Sequence, residues 1–250
     1  LLLLAVGESI TAVAAPFALF AALALAPLMA RASGPRVAAV GGGVLAAGAA
    51  ALVAVIRFVD PASAATPGIS QVIHVSDLAS GRVYRVTSLL APDRWTRAAL
   101  GPAREASLRP VFESALIAPG EPVRVARPRI TLSNARDGRL RLTVAGAPGT
   151  REVRMALVAT VAMASSRLDG VATPLLAQAG RLGRLTWTGR DQALTMMFTP
   201  RGPGRLVARV AFLTDGWPAD ARPLPGRAAD MMPWYNSDSR VVIDTVQIAW

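Results

Sequence analysis

The chain contains no cysteine and no lysine, and His74 is its single histidine. Without cysteine there are no disulfides and no thiolate metal sites, and the redox compartment cannot be read from thiol usage. One imidazole cannot build the usual histidine-rich zinc centre. A Ser-His-Asp arrangement would have to use His74, and no Gly-x-Ser-x-Gly elbow accompanies it. The absence of lysine also removes the phosphate-binding Gly-x-x-x-x-Gly-Lys frame, so Gly202-Pro-Gly204 reads as a hairpin turn.

Charge is equally scarce at the N-terminal end. Among the first 56 of 250 residues the only charges are Glu8, Arg31 and Arg36. All 27 basic residues are arginine and they set a net charge of +11, but they are dispersed along the chain. Phosphate binding needs clustered cations, so nucleic acid is not an expected partner. An anionic membrane surface is the more natural counterpart for some of these arginines.

Residues 10–30 and 37–56 are charge-free. Each is long enough to cross a hydrocarbon core of about 30 Å at about 1.5 Å per residue. The sequence therefore predicts a membrane region over 1–56 with two transmembrane helices, at about 10–30 and 37–56, forming an α-helical hairpin. Arg31 and Arg36 in the connector place it on the cytoplasmic side and the remaining chain on the extracytoplasmic side. The expected localisation is a multi-pass integral membrane protein in contact with the lipid bilayer. Gly41, Gly42, Gly43 and Gly48 thin one face of the second helix, either as a seat for other transmembrane helices or as a weakly specific apolar span. Leu1 in place of methionine, followed by an apolar start to Val6, reads as a fragment of a longer protein.

Residues 57–68 read as a linker, with Asp60-Pro61 and Pro67-Gly68 as breakers. Short alternating runs follow, so 69–250 is expected to be a mainly β domain, an antiparallel β-sandwich. Strands are predicted at 69–76, 82–88, 128–133, 140–145, 153–161, 184–188, 193–198, 206–213 and 240–248, and a short helix over 92–100.

Few residues suggest chemistry. His74 shares a strand face with Val72 and Ser76 and reads as structural or exposed. Asp215, Asp220, Asp230, Asp238 and Asp244 crowd the last 36 residues, and Asp215 and Asp220 fall in turn-like, proline-rich sequence, where aspartate commonly bonds its own backbone. Trp95, Trp187, Trp217, Trp234 and Trp250 either line a ligand groove or pack the core. Met231 to Asp238 forms either a docking surface or a loop covering a sheet edge. No catalytic, cofactor-binding or metal-binding residue is assigned to this chain.

The order of these features resembles a known family. A hydrophobic hairpin and linker precede Asp77-Leu-Ala-Ser-Gly81, then Asp93-Arg-Trp-Thr-Arg97 with Leu100-Gly101, a β domain, and a closing Pro233-Trp234 to Ser237-Asp238-Ser239. From about Val37 to Trp250 the chain resembles the C-terminal region of multispanning membrane zinc metallopeptidases, aminopeptidase-type proteins such as endoplasmic-reticulum metallopeptidase and vacuolar membrane protease. The resemblance implies a non-catalytic, membrane-anchoring accessory region whose partner is an upstream catalytic domain of the same protein. Zinc would reside in that domain and not in this chain. The rival readings are a membrane-tethered β-sandwich that binds glycan or protein, and a self-contained hydrolase using carboxylates.

Overall fold

The computed structural model describes Gly43, Gly48 and residues 67–135, 137–189 and 193–250. The chain divides into two compact units, Leu1–Thr66 and Pro67–Trp250. The second contains fifteen described strands and one described helix.

An eight-stranded sheet has the order β11(Gly183–Trp187), β8(Thr150–Ala159), β13(Arg205–Thr214), β15(Arg240–Ala249), β2(Ile73–Asp77), β3(Arg82–Thr87), β5(Phe112–Pro119) and β4(Arg104–Leu108). A five-stranded sheet runs β10(Val171–Thr173), β9(Met163–Leu168), β12(Leu194–Pro200), β7(Leu140–Ala145) and β6(Arg129–Asn134). Two short strands, β1(Gly68–Ser70) and β14(Met231–Pro233), pair in parallel. The helix α1(Arg94–Leu100) starts at Asp93, whose carboxylate accepts from the Thr96 backbone N–H, and stops at Gly101, which has φ +79°.

The two larger sheets share one core. Leu140, Leu142 and Val144 of β7 and Leu194, Met196 and Phe198 of β12 pack with Val153, Met155 and Leu157 of β8 and Leu206, Ala208, Val210 and Phe212 of β13. A second core lies on the opposite face of the eight-stranded sheet, where Ile73, Val75, Val86, Ala115, Ile117, Ala211, Leu213, Val241 and Ile243 meet Leu108 and Val111. β13 records both: its inner residues alternate along the first half and are continuously buried from Val210 to Leu213. That change follows from the sheet curling, which brings the turn after β4 over the second face.

Gly120 permits one close approach. A Cβ there would stand 2.8 Å from the Tyr84 carbonyl carbon, and the Gly120 N–H donates to Val83 O at 2.9 Å. The approach sets Glu121 beside β2 and β3.

Two parts of the expected fold class are corrected. The transmembrane helices at 10–30 and 37–56 lie outside the described residues, apart from Gly43 and Gly48, and the linker does so apart from Pro67 and Gly68. Among the described residues no helix is long and apolar enough to cross a membrane. At 7 residues α1 extends about 10 Å, a third of the span needed. The described chain is mainly β, so the class with a membrane helical hairpin is not upheld, nor is the multi-pass integral-membrane localisation with its extracytoplasmic β domain. The second correction concerns the antiparallel sandwich. β15 and β2 run parallel, with Arg240 opposite His74 and Ile243 opposite Asp77, and the resulting mixed sheet is curled with both faces partly covered.

Candidate functional site

The residues with the greatest chemical potential are committed to architecture. His74, on β2, is 0% exposed. Its Nε2 lies 3.1 Å from the Glu121 carbonyl oxygen, so Nε2 carries the proton and donates. Nδ1 is buried without a partner among the described residues. Trp217 meets the ring edge-on at 5.6 Å. Burial pushes the His74 pKa below its ordinary value and Arg85 acts in the same direction, against the carbonyl and charge of Glu121 and the charge of Asp220. The imidazole is therefore neutral at pH 7, and it is closed to any substrate.

Arg85 ties this cluster together. Its Nη2 donates to Glu121 Oε1 at 2.8 Å and its Nη1 to Ala99 O at 2.7 Å, the last turn of α1. Burial alone would raise the Glu121 carboxyl. Its own backbone N–H and the Arg85 hydrogen bonds outweigh that and hold it below the usual carboxylate range. The group works as a strut between β2, β3, β5 and α1.

The C-terminal aspartates do not converge either. Asp238 pairs with Arg227 at 2.5 Å, Asp215 with Arg151 at 2.5 Å, Asp220 accepts from the Arg124 N–H at 2.6 Å, and Asp244 accepts from the adjacent Thr245 N–H at 2.7 Å. Asp230 contributes its backbone carbonyl to Gly68. Among the described residues no group of three or more His, Asp or Glu could hold a metal ion. These donors do not fit a zinc centre.

The tryptophans are scattered as well. Trp187 and Trp250 pack on the first core, and Trp95 and Trp217 join Val72, Ala99 and Leu224 under α1. Trp95 Nε1 donates to Pro225 O at 2.9 Å while Arg227 stacks 4.0 Å over its ring. Trp234 is the one exposed tryptophan, and the five tryptophans do not converge on one groove among the described residues. The Met231 to Asp238 segment is tied down at its ends and open in its middle: Met231–Pro233 pairs with β1, Asn236 is buried, Ser70 Oγ bonds Met232 O and Tyr235 OH accepts from Arg154 Nη2 at 2.8 Å, while Met232, Pro233, Trp234 and Tyr235 are exposed.

An open cleft of about 180 Å³ lies among the described residues on the curled face. One wall is the β4–β5 turn with Arg109, Pro110, Val111 and Glu113; the other is β8 and β11 with Arg154, Ala156, Arg184 and Thr186. Strand register makes the cationic row. Arg184 of β11, Ala156 of β8 and Arg209 of β13 are direct cross-strand partners, and Thr186 partners Arg154. Arg154 fixes the turn by donating from Nη1 to Val111 O at 2.9 Å, with its Nε on Glu152. Arg209 fixes it a second time, donating to Arg109 O at 2.7 Å while pairing with Asp77 at 2.8 Å. Arg109 and Arg184 remain about half exposed, both held by the Glu113 carboxylate, at 2.8 and 2.7 Å.

A second hollow, beside Thr150, Phe212 and Val242, has only about 10 Å³, room for at most one water. No sequence pattern announced the larger cleft, because residues 109, 154 and 184 are brought together only by long-range strand pairing. The Arg181-Leu-Gly-Arg184 segment before a strand was the single local hint. No protein-family model matches the chain, and no curated protein matches it.

Proposed function

We propose that the Pro67–Trp250 unit is a non-catalytic accessory module that recognises a partner through the cleft between the β4–β5 turn and β8–β11. The observation that carries this is a contrast. The single imidazole is sealed and Glu121, Glu152, Asp77 and Asp238 are ion-paired within the framework, whereas the cleft is open and presents half-exposed guanidinium groups on a braced turn. Rigid backing with displaceable polar ends favours binding, because little ordering remains to be done when a partner arrives. General acid–base work needs a titratable group within hydrogen-bond reach of a substrate, and His74 has no such access.

The metallopeptidase setting belongs to the same proposal only through the sequence resemblance, and zinc would then be supplied by another domain. The test is turnover. The full 250-residue chain, freed of bound metal and incubated with a mixed peptide pool, is expected to release no fragments above the buffer rate by mass spectrometry, and His74→Gln is expected to behave identically. Fragment release that His74→Gln abolishes overturns the proposal.

A further inference from the structure

The charge and shape of the cleft point to a particular ligand chemistry. Its walls hold three arginines against one carboxylate. That carboxylate, Glu113, bridges Arg109, which reaches its Oε2 from Nε and Nη2, and Arg184, which reaches its Oε1 from Nη2. Paired surface ions of this kind contribute little to stability, typically below about 1 kcal/mol, so a ligand can exchange for them at low cost. A carboxylate between two guanidinium groups also describes how an incoming acid would be held, since guanidinium recognises that planar anion with directed hydrogen bonds.

Apart from Thr186, the remaining lining is apolar. Pro110, Val111, Ala156 and Leu185 flank the charged ends. A volume of about 180 Å³ is enough for one short acidic side chain with its methylenes.

A strand edge supplies the third element. β11 terminates the eight-stranded sheet and is hydrogen-bonded on one side, to β8. Among the described residues no strand pairs its outer side. An extended peptide added there gains main-chain hydrogen bonds, and every second side chain points to the curled face on which Arg184 and Thr186 stand.

We infer that the cleft captures a glutamate or aspartate side chain of an extended acidic peptide laid along β11, the peptide carboxylate replacing Glu113 between Arg109 and Arg184; the inference rests on the recognition-module reading. Arg181, just before β11, adds a cation at the same edge.

Fluorescence anisotropy of the full chain with a fluorescein-labelled nonapeptide of alternating glutamate and valine provides the test, beside the same peptide with glutamine for glutamate. The glutamate peptide is expected to bind at least about tenfold more tightly, a difference of 1.4 kcal/mol. Arg184→Ala and Arg109→Ala should each weaken it about tenfold and leave the glutamine peptide unchanged. Glu113→Gln should tighten it several-fold, a gain that misfolding does not produce. Equimolar free glutarate or inorganic phosphate should not displace the peptide. Equal binding of the two peptides, unchanged affinity in the arginine variants, or displacement by glutarate or phosphate would overturn the inference. Failure of both peptides to bind would overturn it too, while leaving the non-catalytic reading intact, because that reading fails only on fragment release.

Discussion

Phe198→Ala should lower the stability of the Pro67–Trp250 unit by about 4 kcal/mol, the usual scale for truncating a fully buried phenylalanine. Phe198 is 0% exposed and lies on β12, the central strand of the five-stranded sheet, between Leu140 of β7 and Ser166 of β9. Its ring faces the β8 and β13 residues of the shared core, so the hole falls where neither sheet can collapse without losing strand pairing. For a unit of this size such a loss lowers the melting temperature by roughly 10 °C. Leu90→Ala is the control, because Leu90 is 57% exposed and its truncation should cost less than about 0.5 kcal/mol. Urea denaturation of both variants decides the matter. A Phe198→Ala cost no larger than the control would mean that the two sheets do not share the principal core.

Glu152→Ala carries the second large effect, about 3 kcal/mol, because removing one partner of a buried ion pair leaves the other charge uncompensated. The Glu152 side chain is 4% exposed and pairs with Arg154, which is 15% exposed, while Arg151 stands 3.8 Å away. Tyr235 OH also donates to Glu152 Oε2 at 3.4 Å. Loss of the carboxylate therefore frees Arg154, and through it the Val111 carbonyl and the Tyr235 ring, the two contacts that brace the cleft and the C-terminal loop. Combining Glu152→Ala with Arg154→Met should recover part of the loss, since an apolar replacement of the whole pair is often near neutral. Breaking the exposed Arg109–Glu113 pair should cost only about 0.2–1 kcal/mol. If Glu152→Ala costs no more than that, the network is not a structural element.

The alternating strands were legible where one face is buried and the other open. Leu140-Arg-Leu-Thr-Val-Ala145 alternates in sequence and in burial, and it forms β7 with those bounds. β4 and β5 were missed. Arg104-Glu-Ala-Ser-Leu108 and Phe112-Glu-Ser-Ala-Leu-Ile-Ala-Pro119 are short of β-branched residues, and their burial comes from sheet curling that no local period encodes. The run 69–76 has the sequence of one strand, yet the strand breaks at Gln71 and Val72. There the Gln71 side chain serves Ser88 and Tyr235, and its backbone N–H donates to Thr96 Oγ1 at 3.0 Å.

The strand context of His74 was legible, but its sequence left a structural and an exposed placement open, and the structure buries it completely. The parallel β15–β2 pairing was not legible, because it joins the chain's first and last long strands across more than 160 residues. The cleft shares that origin. Arg154 and Arg184 became neighbours only when β8 met β11, and the overhanging turn at Arg109 only when β4 and β5 closed the sheet. Hydrophobic periodicity determines which face a side chain takes and says little about which distant strand will lie beside it.

The central claim, recognition through this cleft, is tested most directly by hydrogen–deuterium exchange of the full chain with and without saturating glutamate–valine peptide. Protection is predicted at Arg109–Glu113 and at Leu182–Thr186, with the His74 and Trp234 segments unchanged. Protection confined to the Met231–Asp238 loop or the His74 cluster, with none at the cleft, would contradict it.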